Sequence, residues 1–86
     1  MEENISYKIL VVEDDNQIQE LIVEFLSSQD YDVDVANDGV EGYEKFKGNK
    51  YDLVILDVMM PRLDGHALCK MIRNLDKEVS IIFLTA

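Results

Sequence analysis

The sequence predicts an α/β fold in which a parallel sheet is wound with helices on both faces. Two observations carry that prediction. Short, almost continuous apolar runs suit strands covered on both sides, the habit of parallel sheets. Between them lie stretches whose apolar residues recur at i, i+3, i+4 and i+7, the spacing of one helix face. The elements alternate as β-α-β-α-β-α-β, which implies right-handed crossover units.

The first strand is KILVVE at 8–13, broken by Asp14, Asp15 and Asn16. Ile18, Leu21, Ile22 and Phe25 then mark a helix face, with Asn16 as the expected N-cap and Gln19 completing a capping box. YDVDV at 31–35 alternates strictly, so it reads as an edge strand with one wetter face. Asn37, Asp38 and Gly39 turn the chain into a second helix with Val40, Tyr43 and Phe46 or Lys47 on one side, ended by Gly48 and Asn49. YDLVILD at 51–57 is the strongest buried-strand signal. Met59, Met60, Pro61 and Arg62 form a loop, because Pro61 lacks a donor and restricts its predecessor. Asp64 and Gly65 open a third helix carrying Leu68, Met71, Ile72 and Leu75, and VSIIFL at 79–84 is a fourth strand.

Composition narrows the function. Eighty-six residues fit one domain, and 48% apolar with 30% charged residues describes a globular chain rather than a disordered one. The net charge is −10 and is unevenly spread: residues 1–43 carry twelve acids and one base, Lys8. A field of that sign disfavours nucleic-acid phosphates. A single cysteine, Cys69, excludes an internal disulfide and the usual four-ligand zinc site. The acidic start lacks the basic region of a signal peptide, and no apolar run reaches membrane-span length. The expectation is a small acidic cytoplasmic domain with no membrane contact.

Ligands of open α/β sheets bind beyond the carboxyl ends of the strands. Here those ends carry Glu13, Asp14 and Asp15, then Asp57, then Thr85. Adjacency of the first and third strands brings the acidic pair to Asp57. Carboxylates crowded in one crevice repel unless a cation sits among them, and hard oxygen ligands suit Mg²⁺ or Mn²⁺. A carboxylate placed like Asp57 can attack a phosphoryl group and form an acyl phosphate. The Thr85 hydroxyl either serves that group or caps its strand.

The segments ILVVEDD at 9–15, DG at 38–39, LVILDVMMPRLDG at 53–65 and IFLTA at 82–86 resemble the receiver domain of two-component response regulators, in order and spacing. Their wording is closest to regulators with a winged-helix DNA-binding output domain. The resemblance implies a flavodoxin-like doubly wound sheet of strand order 2-1-3-4. It implies Asp57 as phosphoacceptor, and Glu13 and Asp14 as the acidic pair binding Mg²⁺. The backbone carbonyl of Met59 would be a further metal ligand, and Thr85 the switch hydroxyl. Asp15 is left as a helix-starting residue, while Pro61 and Gly65 shape the loop after the acceptor. A sensor histidine kinase is the implied partner. The acidic surface around the first helix reads mainly as solvation, with kinase docking through its apolar groups as the sharper reading. The implied protein is a phosphoacceptor rather than a turnover enzyme.

Family receivers have five strands and five helices in about 120 residues, so 1–86 is expected to be one receiver domain, C-terminally incomplete. The family's lysine at the end of strand five has no counterpart here, and Lys70 and Lys77 stand in or after the third helix. Metal binding is therefore expected to persist while phosphorylation weakens. A reading from another class makes the chain a non-signalling assembly module, a dimer or swapped assembly formed through the apolar edge of residues 79–84. An aspartate-nucleophile phosphatase fits less well, since those enzymes favour an acid where Met59 stands. His66 and Cys69 share a helix face but lack further ligands for a soft metal.

Overall fold

A computed structural model of the chain describes residues 6–84. Its elements are β1 (Lys8–Val12), α1 (Asn16–Ser28), β2 (Asp32–Ala36), α2 (Gly39–Gly48), β3 (Leu53–Asp57), α3 (Gly65–Leu75) and β4 (Ser80–Leu84). The strands are all parallel in the order β2-β1-β3-β4, a flavodoxin-like arrangement that the described residues carry as far as β4. Val12 lies level with Ala36 on one side and with Leu56 on the other. The residues that follow Val12 and Leu56, Glu13 and Asp57, therefore emerge at the same end of the sheet.

The period-two alternation of β1 and β3 splits the core into two layers. Leu10, Val12, Val54 and Leu56 pack with Phe46 of α2 and with Leu68 and Ile72 of α3. Ile9, Val11 and Ile55 face the other way, where Ile22 and Leu26 of α1 cover them. Full burial of each such side chain contributes about 1.5–3 kcal/mol relative to exposure, before the cost of ordering it. The central strands are thus held from both sides, which is why β1 and β3 read as continuous apolar runs.

The helices differ from their sequence reading in which faces they bury. In α1 the N-cap is Asp15, whose carboxylate accepts the N–H groups of Gln17 and Ile18 at 2.9 and 3.1 Å, and Asn16 is already helical. Gln19, freed from a capping box, turns its amide back toward the strand ends. The row formed by Ile22 and Leu26 meets the sheet, so the adjacent row points outward: Leu21 is 69% exposed and Phe25 64%. In α2 the Asp38 cap sets a helix phase that buries Gly39, Gly42 and Phe46 and leaves Val40 exposed. In α3 Leu68 and Ile72 are buried as expected, whereas Leu75 is half exposed. Tyr31 lies just before β2, its ring tilted against Tyr7 at 5.7 Å.

Candidate metal centre

β1 delivers Glu13 to the sheet end in a fixed pose. Its N–H donates to the Ala36 carbonyl at 3.1 Å, continuing the ladder one residue past the strand. Its carboxylate accepts the Asp15 N–H at 3.0 Å. The Gln19 amide donates to the carbonyl of Glu13 at 3.0 Å, to that of Ala36 at 3.4 Å, and to Asn37 Oδ1 at 3.1 Å. One side chain of α1 thereby ties the ends of β1 and β2 together. Sequence reading assigned Gln19 to helix capping, and its three acceptors come from segments that only the fold brings together.

β3 delivers Asp57, whose Oδ1 accepts the Met59 N–H at 3.2 Å. The loop that follows is closed at its base, where the Gly65 N–H donates to the Val58 carbonyl at 3.0 Å. Gly65 sits so tightly against the Asp57 carbonyl oxygen that a side chain would collide with it, so this position requires glycine. Asp64 caps α3 by accepting the Ala67 N–H at 2.9 Å. The Met59 side chain projects into solvent and is 81% exposed.

Carboxylate oxygens of Glu13, Asp14 and Asp57 all lie within 4.8 Å of one another. Glu13 is 3% exposed, Asp57 half-buried and Asp14 exposed, so the cluster opens on one side to solvent. None of the ion pairs among the described residues involves any of the three. Burial raises the Glu13 pKa above the ordinary carboxylate value; the hydrogen bond from the Asp15 N–H opposes it, and the Asp57 charge adds a lesser rise. Three carboxylate oxygen donors with no ion-pair partner among the described residues form a donor set that fits Mg²⁺ or Mn²⁺. Thr85 lies outside the described residues.

The loop after Asp57 has a second attachment with no signal in the sequence. Arg62 Nη2 stands 2.7 Å from Asp38 Oδ2. An open recess of about 460 Å³ lined by Val58, Met59, Met60, Asp64 and His66 adjoins this loop. A larger hollow of about 590 Å³ is lined by Phe46, Lys50, Tyr51 and Asp76, among others, and includes none of the three clustered acids. His66 lies against the Phe83 ring at 5.0 Å, and Cys69 packs on the core, so neither gathers further soft ligands among the described residues. No helix of the described residues is long and apolar enough to cross a membrane.

A family model described as the response regulator receiver domain matches residues 9–86. Response regulator MprA of Mycobacterium sp. (strain KMS) is 44% identical over 79 residues, 92% of this chain and 34% of that protein. The chain thus spans about a third of the length of the curated relatives it matches. The solved structure of response regulator TrrA from Thermotoga maritima in complex with Mg²⁺-BeF superposes with a TM-score of 0.89 at 44% identity, covering 92% of this chain and 69% of that one. The same regulator in complex with histidine kinase ThkA gives a TM-score of 0.86 at 44% identity, covering 92% and 68%. The chain belongs to the response regulator receiver domain family.

Proposed function

We propose that this chain is the phosphoacceptor unit of a two-component response regulator. Asp57 takes a phosphoryl group from a phosphohistidine of a sensor histidine kinase, and the full-length parent passes the change to a transcriptional output. The observation that carries this reading is the convergence of Glu13, Asp14 and Asp57 within 4.8 Å at the ends of adjacent parallel strands. The histidine kinase complex and the Mg²⁺ complex of the similar regulator TrrA support the partner and the cofactor.

In this reading Glu13, Asp14, Asp57 and the Met59 carbonyl would hold Mg²⁺, which would supply positive charge to offset that of the phosphoryl group. An Asp57 carboxylate oxygen attacks phosphorus, an acyl phosphate forms, and the imidazole nitrogen departs with the bonding pair. Positioning does most of the work, and here the Met59 N–H and the closed loop hold Asp57 in place. Thr85 is the proposed switch hydroxyl. Exposed Ile18, Leu21 and Phe25 on α1 supply an apolar docking face for the kinase. The unit assists its own phosphoryl transfer without turnover, works in the cytoplasm, and makes no direct contact with DNA or membrane.

Incubation with Mg²⁺ and acetyl phosphate tests the proposal. A mass gain of one phosphoryl group, mapped to Asp57, dependent on Mg²⁺ and absent from Asp57→Asn, is the expected result. Labelling that persists in Asp57→Asn contradicts it. A second reading, self-association through β4, draws on one observation. Among the described strands β4 pairs with β3 alone, and its Ile82 is half exposed. Light scattering at monomer mass across a wide concentration range, with a cooperative unfolding transition, removes that second reading.

A further inference from the structure

Arg62 has a positive φ of 70°, a backbone conformation that favours glycine and is uncommon for a long side chain. The Leu63 N–H closes back on the Pro61 carbonyl at 2.8 Å, so Arg62 is the centre of a tight three-residue turn, a strained form at positive φ. Such a turn persists only where its surroundings hold it. Two contacts with α2 do so. The Arg62 guanidinium meets Asp38 Oδ2 at 2.7 Å, while Asp38 Oδ1 accepts the Glu41 N–H at 2.8 Å. Next to this pair Gly39 abuts the Leu63 carbonyl oxygen and Cβ so closely that no side chain fits.

Both carboxylate oxygens of Asp38 are therefore committed, one to its own helix and one to the loop. The two hydrogen bonds, from the Glu41 N–H and then from Arg62, hold its pKa below the ordinary aspartate value. The Arg62 side chain is 69% exposed, so the pair adds little to global stability. Its consequence is geometric. The loop of residues 58–64 is closed at its base by Gly65 on Val58 and latched at its tip to α2. Met59, whose N–H holds Asp57 Oδ1, lies between those two attachments.

We propose that Arg62 is a positioning residue for the metal centre: through its latch to Asp38 it fixes the loop that orients Met59 and Asp57. This rests on the metal-binding reading of the Glu13, Asp14 and Asp57 cluster and extends it to a residue that touches none of them. The latch couples α2 to the acceptor loop, so a shift at either end is felt at the other.

The test measures the Mg²⁺ dissociation constant by calorimetry and the metal-free Met59 amide resonance, both well below the melting temperature. Arg62→Ala is expected to weaken Mg²⁺ about three- to tenfold, less than the roughly 10–100-fold typical of groups directly behind a ligand. It is also expected to shift the Met59 amide. Arg62→Gly, which relieves the positive φ but loses the ion pair, is expected to weaken binding equally, and Arg62→Lys to restore most of it. Asp38→Asn keeps the helix cap but loses the charge. Its effect is expected to match Arg62→Ala, with the double variant no weaker than either single one. A purely structural role lowers melting temperature alone. Wild-type Mg²⁺ affinity and an unmoved Met59 amide in Arg62→Ala and Asp38→Asn overturn the proposal. Asp57→Asn serves as control: its loss of Mg²⁺ binding alongside unaffected Arg62 variants rejects the latch alone, whereas its retention of wild-type binding rejects the metal-binding reading and the latch with it.

Discussion

Glu13 and Asp57, 44 positions apart in the chain, present carboxylate oxygens within 4.8 Å of each other. Their closeness follows from β1 and β3 being parallel neighbours in matched register, with Val12 level with Leu56. The two acids share one crevice end and repel. A proton on Glu13 or a divalent cation in the cluster relieves that repulsion, and the competition between the two governs how the site responds to pH.

The raised pKa of Glu13 sets the sign of that response. The metal-free folded state keeps a proton that the unfolded state releases near the ordinary 4.5. Stability from this group is therefore fully present below 4.5 and is lost as pH climbs through the raised folded value. In EDTA at neutral pH, Glu13→Gln is expected to raise the melting temperature while sharply weakening Mg²⁺ binding. A lower melting temperature for Glu13→Gln under those conditions contradicts the account.

The contact between Gly65 and the Asp57 carbonyl predicts a specific loss. Gly65→Ala drives a methyl group into the backbone of Asp57 and Val58, which must shift to admit it. Overpacking of this kind costs about 1–3 kcal/mol. Denaturant titration is expected to show that loss together with weaker Mg²⁺ binding. Unchanged stability means that the loop has room the structure does not show.

Two leucines at helical positions have opposite fates. Leu68 is fully buried between α2 and the sheet, and Leu68→Ala is expected to cost about 2–5 kcal/mol. Leu21 is 69% exposed on α1, and Leu21→Ala is expected to stay within about 0.5 kcal/mol. Urea unfolding of both variants measures the contrast, and equal losses contradict the assigned face of α1.

The start of α1 gives a smaller contrast. Asp15→Ala removes the oxygen that accepts two backbone N–H groups and is expected to cost about 1 kcal/mol. Asn16→Ala is expected to cost far less, because Asn16 is already inside the helix. The reverse order in thermal melts restores Asn16 as the cap.

The element order was legible because it rests on local patterns, whereas the strand order came from the family resemblance, and with it the adjacency that gathers the three carboxylates. Apolar runs mark β1 and β3, and strand-end acids mark the site. The outward row of α1 was not legible, since Leu21 and Ile22 are equally apolar and the choice between adjacent faces depends on where the sheet lies. The cap was ambiguous because Asp15 and Asn16 both favour that position. Arg62 and Gln19 were missed for a different reason. Their partners, Asp38 and the Glu13 and Ala36 carbonyls, are set by the crossovers, and no local pattern encodes them.

The central claim is that Glu13, Asp14 and Asp57 form one divalent-cation site around the acceptor. Following backbone amide resonances through a Mg²⁺ titration tests it most directly. The account predicts saturable shifts centred on residues 13–15 and 57–59, lost in both Asp14→Asn and Asp57→Asn while the rest of the spectrum stays folded. Shifts that never saturate, or the same binding curve in both variants, contradict it.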